Sequence, residues 1–233
     1  DITEIPLSVL GNLAPMDIEE YLSYLKYYEK DGVEHTNDER GLKRKLASLR
    51  SFYRYLYKNE MIGQDPAVKV DMPKIHEKTI TRLDIDEVAN LLDEVESGES
   101  LTEKQQKFHE KTKTRDLAMM TLLLGTGIRV SECVGLNIND VDLDTCGARV
   151  YRKGGKESVI YFSDEVRDVL ENYLNEREMI DAVPGNEDAL FLSMQRKRIN
   201  VRSVENLVKK YSSLVTNLKK ITPHKLRSTY GTA

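Results

Sequence analysis

Cysteine is scarce in this chain. Cys133 and Cys146 are the only two in 233 residues, a number and spacing that suggest neither a disulfide framework nor a zinc site, and both are expected as reduced thiols packed in the interior. Long apolar runs are absent as well. No stretch approaches the roughly 20 apolar residues that a membrane-spanning helix requires, and no short apolar segment follows a basic start. The expectation is a soluble, cytoplasmic protein. A surplus of basic charge is also missing: the formal net charge is −4, which taken alone argues against a polyanionic partner, because phosphate contacts are made chiefly by Lys and Arg. There is no internal repeat, and helical patterns do not alternate regularly with strands, so neither a solenoid nor a doubly wound α/β sheet is expected.

The mean charge hides a segregation. Asp84 to Glu99 contains seven acids and no Lys or Arg, whereas Gln195 to Arg227 contains ten Lys or Arg and the single acid Glu205. Acidic segments of this kind can face solvent while basic ones face a polyanion. Arg202, inside the basic segment, is a candidate contact.

Helical spacing organises most of the chain. After Pro15, MDIEEYLSYLKYYEK has acids near its start and apolar residues at helical intervals, and DGVEHTN then reads as a turn. From about Asp38 to Lys58, Leu42, Leu46, Leu49, Tyr53 and Leu56 recur at steps of four and three, which defines one buried stripe. Arg40, Arg44, Ala47, Ser51, Arg54 and Lys58 fall on the opposite side, a basic face with small residues between that suits a DNA groove, although most charge stripes are ordinary solvated faces. IGQDPAVKVDMPKIHEKTI carries two prolines and no periodicity, and reads as a linker. Helical signals resume at LDIDEVANLLDEV with Asp84 as N-cap; a polar insertion, Glu96 to Thr112, then leads into the apolar helix RDLAMMTLLL. GTGIRVSECVGL is a glycine turn feeding a short helix, GARVYRKGGKESVIYF a hairpin, Asp164 to Glu178 a helix and ALFLS a short strand. Helices from Val201 to Val215 and from Thr222 onward complete a fold that is mainly α with a small β element.

Cleaving a phosphodiester without a metal requires cations on a pentacoordinate phosphate, a proton donor for the leaving oxygen, and a nucleophile. Arg129 follows the GTG turn at the start of a helix, where backbone N–H groups also favour phosphate, and its guanidinium can hold two oxygens at once. Glu132, one turn later, is placed to brace Arg129 or the adjoining backbone. Lys153, in the hairpin turn, has the reach to deliver a proton. His224 and Arg227 are spaced i, i+3, so a helix beginning at Pro223 presents an imidazole beside a second guanidinium. Each element alone occurs by chance in many proteins; their combination and order do not.

The strings LLLGTGIRVSECVGLNINDVD, VYRKGGKESVIYF and ITPHKLRST resemble the first catalytic box, the hairpin lysine and the His-x-x-Arg of the tyrosine recombinase (phage integrase) family. DIEEYLSYL and LKRKLASLRSFYRYLYKNEMIGQDPA resemble its helical core-binding domain. The insertion LTEKQQKFHEKTKTRDLA and the RKGGK turn are most similar to Xer-type recombinases and integrases of Gram-positive bacteria. The resemblance implies a core-binding domain over residues 1–72, a linker over 73–80 and a mixed α+β catalytic domain over 81–233, with both domains incomplete at their outer ends. It implies Arg129 and Arg227 as phosphate clamps, Lys153 as general acid with Lys156 as close competitor, His224 as an acid/base or phosphate-binding group, and Glu132 as support. It further implies double-stranded DNA as partner, a homotetramer on paired sites, and no metal or organic cofactor. Arg40, Arg44, Ser51 and Arg54 become DNA contacts. Two departures stand out. Ser228 occupies a position where many members have a second His, and no tyrosine follows His-x-x-Arg at the family's distance. Tyr230 is too close to Arg227 and is expected in the core, so cleavage by residues 1–233 alone is not expected. The alternative is a regulatory or architectural DNA-binding protein that keeps this fold without catalysis.

Overall fold

The computed structural model describes residues 5–75, 82–152, 154–216 and 219–230. The chain divides into two compact units, Asp1–Lys78 and Thr79–Ala233.

The first unit contains α1 (Leu7–Asn12), α2 (Pro15–Lys26), a hairpin of β1 (Tyr27–Lys30) and β2 (Val33–Thr36), and α3 (Glu39–Lys58). α2 stops at Lys26, so YYEK is a strand and DGVEHTN its partner, where the periodicity had suggested continued helix and turn. Asp31 and Gly32 explain the reversal: both have positive φ (54° and 73°), the backbone of a two-residue hairpin turn whose twist matches the flanking strands. Tyr28 and His35, directly paired across the strands, stack with ring centroids 5.0 Å apart. α3 begins at the Asp38 N-cap, whose carboxylate accepts from the Gly41 N–H at 2.8 Å. Its stripe packs as the spacing demands: Leu42, Leu46, Tyr53 and Leu56 are buried and Leu49 partly so. The aperiodic stretch after Asn59 is not all linker. Ile62, Ala67 and Val70 are buried in this core, and Arg50 of α3 straps the segment by donating to the carbonyls of Ala67 (3.1 Å) and Val70 (2.5 Å). Residues 76–80 of the expected linker lie outside the described residues.

In the second unit, α4 (Ile85–Ser97), α5 (Glu103–His109), α6 (Lys113–Thr126), α7 (Val130–Gly135), α8 (Asp164–Glu178), α9 (Val201–Val215) and α10 (Pro223–Tyr230) are joined by an antiparallel sheet ordered β3 (Val141–Asp142), β4 (Gly147–Arg152), β5 (Lys156–Tyr161). The chain as a whole is mainly helical with this small β element. α6 is the centre of the unit. Ala118, Met119, Met120, Leu122 and Leu123 are at most 1% exposed and spread over roughly 200° of its circumference, far wider than the apolar stripe of a surface helix. α4, α8 and α10 pack against it. One face of the sheet buries Ala148 and Val150, and β3, which the sequence pattern did not signal, extends it.

Other expectations need correction. The polar insertion contains α5, whose His109 is buried, with Nδ1 3.0 Å from the Tyr211 hydroxyl and Nε2 3.2 Å from the Glu96 carbonyl. ALFLS forms only isolated bridges, Asn137 with Ala189 and Leu192 with Arg198. Side chains supply its missing ladder: Arg177 donates to the Ala189 carbonyl, and the Tyr173 hydroxyl donates to the Leu190 carbonyl and accepts from the Leu192 N–H. Backbone groups in a buried segment require partners, but these need not be another strand. Cys133 is fully buried, its thiol pushed up to about 12 by burial, while Cys146 is only partly buried; both are free.

Candidate phosphate-binding site

α6 ends at Gly127, whose φ of 59° is the left-handed conformation that terminates a helix. No side chain fits there: a Cβ would come within 2.6 Å of the Tyr230 ring. Two residues on, Arg129 is the N-cap of α7. Its backbone N–H donates to Glu132 Oε2 at 2.8 Å and its guanidinium to Oε1 at 2.7 Å, so one carboxylate fixes both the helix start and the side chain. The pair is asymmetric, with 56% of the Arg129 side chain exposed and only 4% of Glu132. Burial opposes ionisation of Glu132, but the backbone N–H and guanidinium of Arg129, with the charge of Arg152 adding to them, outweigh it and hold the carboxyl below its ordinary value. What reaches solvent is therefore a braced cation.

Arg227 arrives from α10. Its guanidinium donates to the Gly127 carbonyl at 2.5 Å, which pins it to the loop that launches Arg129. His224 lies one turn earlier on α10 and is exposed, while Arg227 is partly buried. The structure thus brings Arg129, Glu132 and Arg227 together through one glycine loop, with His224 on the helix that carries Arg227. Lys153 lies outside the described residues. Lys156, the first residue of β5, is exposed. Sequence reasoning passed over Arg152, the last residue of β4, whose signal was its place beside Lys153 in a hairpin that packs on α7. The Gly127 carbonyl as an anchor left no signal at all.

Of the other candidates, Arg40, Arg44, Ser51 and Arg54 are all exposed on one face of α3. The Ser51 hydroxyl donates to the Ala47 carbonyl at 3.0 Å. Arg202 is 79% exposed and paired with Glu205 at 3.0 Å. Tyr230 is not core: it is 49% exposed, at the end of α10. Among the described residues no cluster of His, Cys, Asp and Glu suited to a metal is present, and no helix is long and apolar enough to cross a membrane.

Residues 81–233 match the Phage integrase family. This chain belongs to that family. Among its members, the tyrosine recombinase XerS of Lactococcus lactis subsp. cremoris is 32% identical over 99% of this chain and 71% of XerS. The tyrosine recombinase XerC of Leptospira interrogans is 31% identical, over 94% of this chain and 65% of its own length. Solved structures agree on the fold: the XerA recombinase is 26% identical with a TM-score of 0.56, covering 95% of this chain and 69% of XerA. XerH, a site-specific recombinase captured on its difH substrate after cleavage, has 18% identity and a TM-score of 0.70, covering 96% of this chain and 62% of that one. The arginines of the glycine loop and the His-x-x-Arg helix are thus set in an integrase fold.

Proposed function

We propose that this protein is a site-specific DNA recombinase that cleaves and rejoins duplex DNA through a 3′-phosphotyrosyl intermediate. The observation that carries the reading is the convergence of Arg129 and Arg227 on the Gly127 loop, one braced by Glu132 and the other by a carbonyl. Two guanidiniums held in advance neutralise charge on a pentacoordinate phosphate without reorganising during the reaction. His224 contributes an acid/base or phosphate-binding imidazole, and Lys153 protonates the departing 5′ oxygen. The nucleophile is a tyrosine outside residues 1–233. Tyr230 is not assigned the role, because it lies only three residues after Arg227 on the same helix, much nearer than the family's tyrosine. The exposed basic face of α3 and Arg202 contact the DNA backbone or bases, and the working assembly is a homotetramer on paired sites. The reaction uses neither metal nor organic cofactor, and the protein acts in the cytoplasm.

Residues 1–233 should accordingly bind duplex DNA with an affinity that falls steeply as salt rises, and should yield no covalent protein–DNA band on a denaturing gel. Salt-independent affinity, or such a band, contradicts this. The lysine is tested in a protein that carries the nucleophilic tyrosine: a 5′-bridging sulfur substrate, whose leaving group needs no proton, should rescue Lys153→Ala. Rescue of Lys156→Ala instead would move the role to that residue.

A further inference from the structure

α7 has six residues, little more than one turn and a half, and a helix this short makes few hydrogen bonds of its own. Its start is held by Glu132. Its end is held from elsewhere. Arg198 donates through Nη1 to the carbonyls of Val134 (3.1 Å) and Leu136 (2.7 Å), and through Nη2 to Asn137 Oδ1 at 2.5 Å. Two of these acceptors are carbonyls at the C-terminal end of α7, where a cation also complements the helix dipole. Arg198 has no carboxylate partner among the described residues, so its charge is directed at that helix end rather than spent in an ion pair.

The side chain is itself aimed by its own backbone. The Arg198 N–H donates to Asn186 Oδ1 at 2.9 Å, Arg198 bridges Leu192, and the next residue, Ile199, is buried and bonded to the Phe191 carbonyl at 2.9 Å. The irregular segment before α9 therefore presents a guanidinium at a fixed place, and that guanidinium sets where α7 ends.

We propose that Arg198 is a positioning residue for Arg129. It touches neither DNA nor the reacting phosphate. It fixes the far end of the short helix whose first turn carries the Arg129–Glu132 pair, so that the Arg129 guanidinium stays within reach of the phosphate that Arg227 also binds. The inference rests on the proposed role of Arg129.

The test uses a protein that carries the nucleophilic tyrosine and separates cleavage rate from DNA affinity. Arg198→Met, measured at saturating protein in a single turnover, should cleave about ten- to a hundredfold more slowly, because displacing a catalytic group by about an ångström has that order of effect. Its dissociation constant should stay within about twofold of wild type, since Arg198 makes no phosphate contact. Arg198→Lys, which keeps the charge and reaches one carbonyl, should fall between the two. If Arg198→Met does not fold, Arg198→Lys is read alone, and an intermediate rate supports the proposal while a wild-type rate overturns it. A wild-type rate per folded molecule in Arg198→Met, with Arg129→Ala inactive, overturns it as well. Should Arg129→Ala cleave normally, the reading of the site itself fails, and the positioning role fails with it.

Discussion

The basic face of α3 and the loop around Gly127 both present arginines, yet they hold them in opposite ways. Arg40, Arg44 and Arg54 project from an exposed helix face and make no ion pair among the described residues. Arg129 and Arg227 are each tied down, to Glu132 and to the Gly127 carbonyl. Exposed, solvated cations suit a partner met as a row of phosphates, where each contact contributes modestly and is sensitive to salt. Fixed cations suit a single phosphate whose charge grows during a reaction, where preorganisation is worth most. In the proposed function, one arrangement supplies affinity and the other supplies rate.

The sharpest way to break that division is to remove a fixed cation. In a protein carrying the nucleophilic tyrosine, Arg129→Ala and Arg227→Ala should each slow strand cleavage by about a hundredfold or more while changing DNA affinity little. If affinity falls as far as rate, the two sets of arginines do one job. Within α3, the two faces should separate just as clearly. Leu46 is wholly buried, and Leu46→Ala should cost about 2 to 5 kcal/mol in a denaturant titration. Arg44→Ala and Arg54→Ala should leave that titration nearly unchanged, because exposed charges add little to stability, and should instead weaken DNA binding and shallow its salt slope by about one unit per lost phosphate contact. An unaltered affinity and slope would mark the stripe as a solvated face.

The smallest effect concerns Glu132. Its carboxyl lies below the ordinary value in the folded protein, so its stabilisation is present above the unfolded value of about 4.3 and is lost as pH falls through the lowered folded one. The difference in unfolding midpoint between wild type and Glu132→Gln should therefore be constant near neutrality and shrink only below about pH 4. A difference that disappears between neutrality and pH 5 would contradict the bracing geometry.

Long periodic segments were legible in the sequence. α3, α8 and α9 follow their apolar spacing closely, because burying one face of a helix leaves a regular trace. Local chemistry was legible where it is local: Glu132 bracing Arg129 follows from a three-residue interval. Pairings across long intervals were not. The Arg227 bond to Gly127 spans 100 residues and the His109 contact with Tyr211 spans 102. The buried segment at Leu190 read as a strand since apolar content marks burial, while its hydrogen bonds to Tyr173 and Arg177 leave no periodic sign. The Asp31-Gly32 turn was readable, but the helical spacing before it ran on into Tyr27 and Tyr28 and masked the hairpin.

In the proposed reaction, Arg129 and Arg227 act together on the negative charge of one phosphate. This joint action is tested most directly by replacing the scissile phosphate with a methylphosphonate, in which a methyl group takes the place of the charged oxygen, so that the linkage is neutral and needs less neutralisation. Cleavage of that neutral substrate by Arg129→Ala and by Arg227→Ala, each in a protein carrying the nucleophilic tyrosine, should recover by about tenfold or more relative to their activity on the ordinary phosphate. If the neutral linkage rescues neither variant, the arginines are not there to neutralise that phosphate, and the account of the site is wrong.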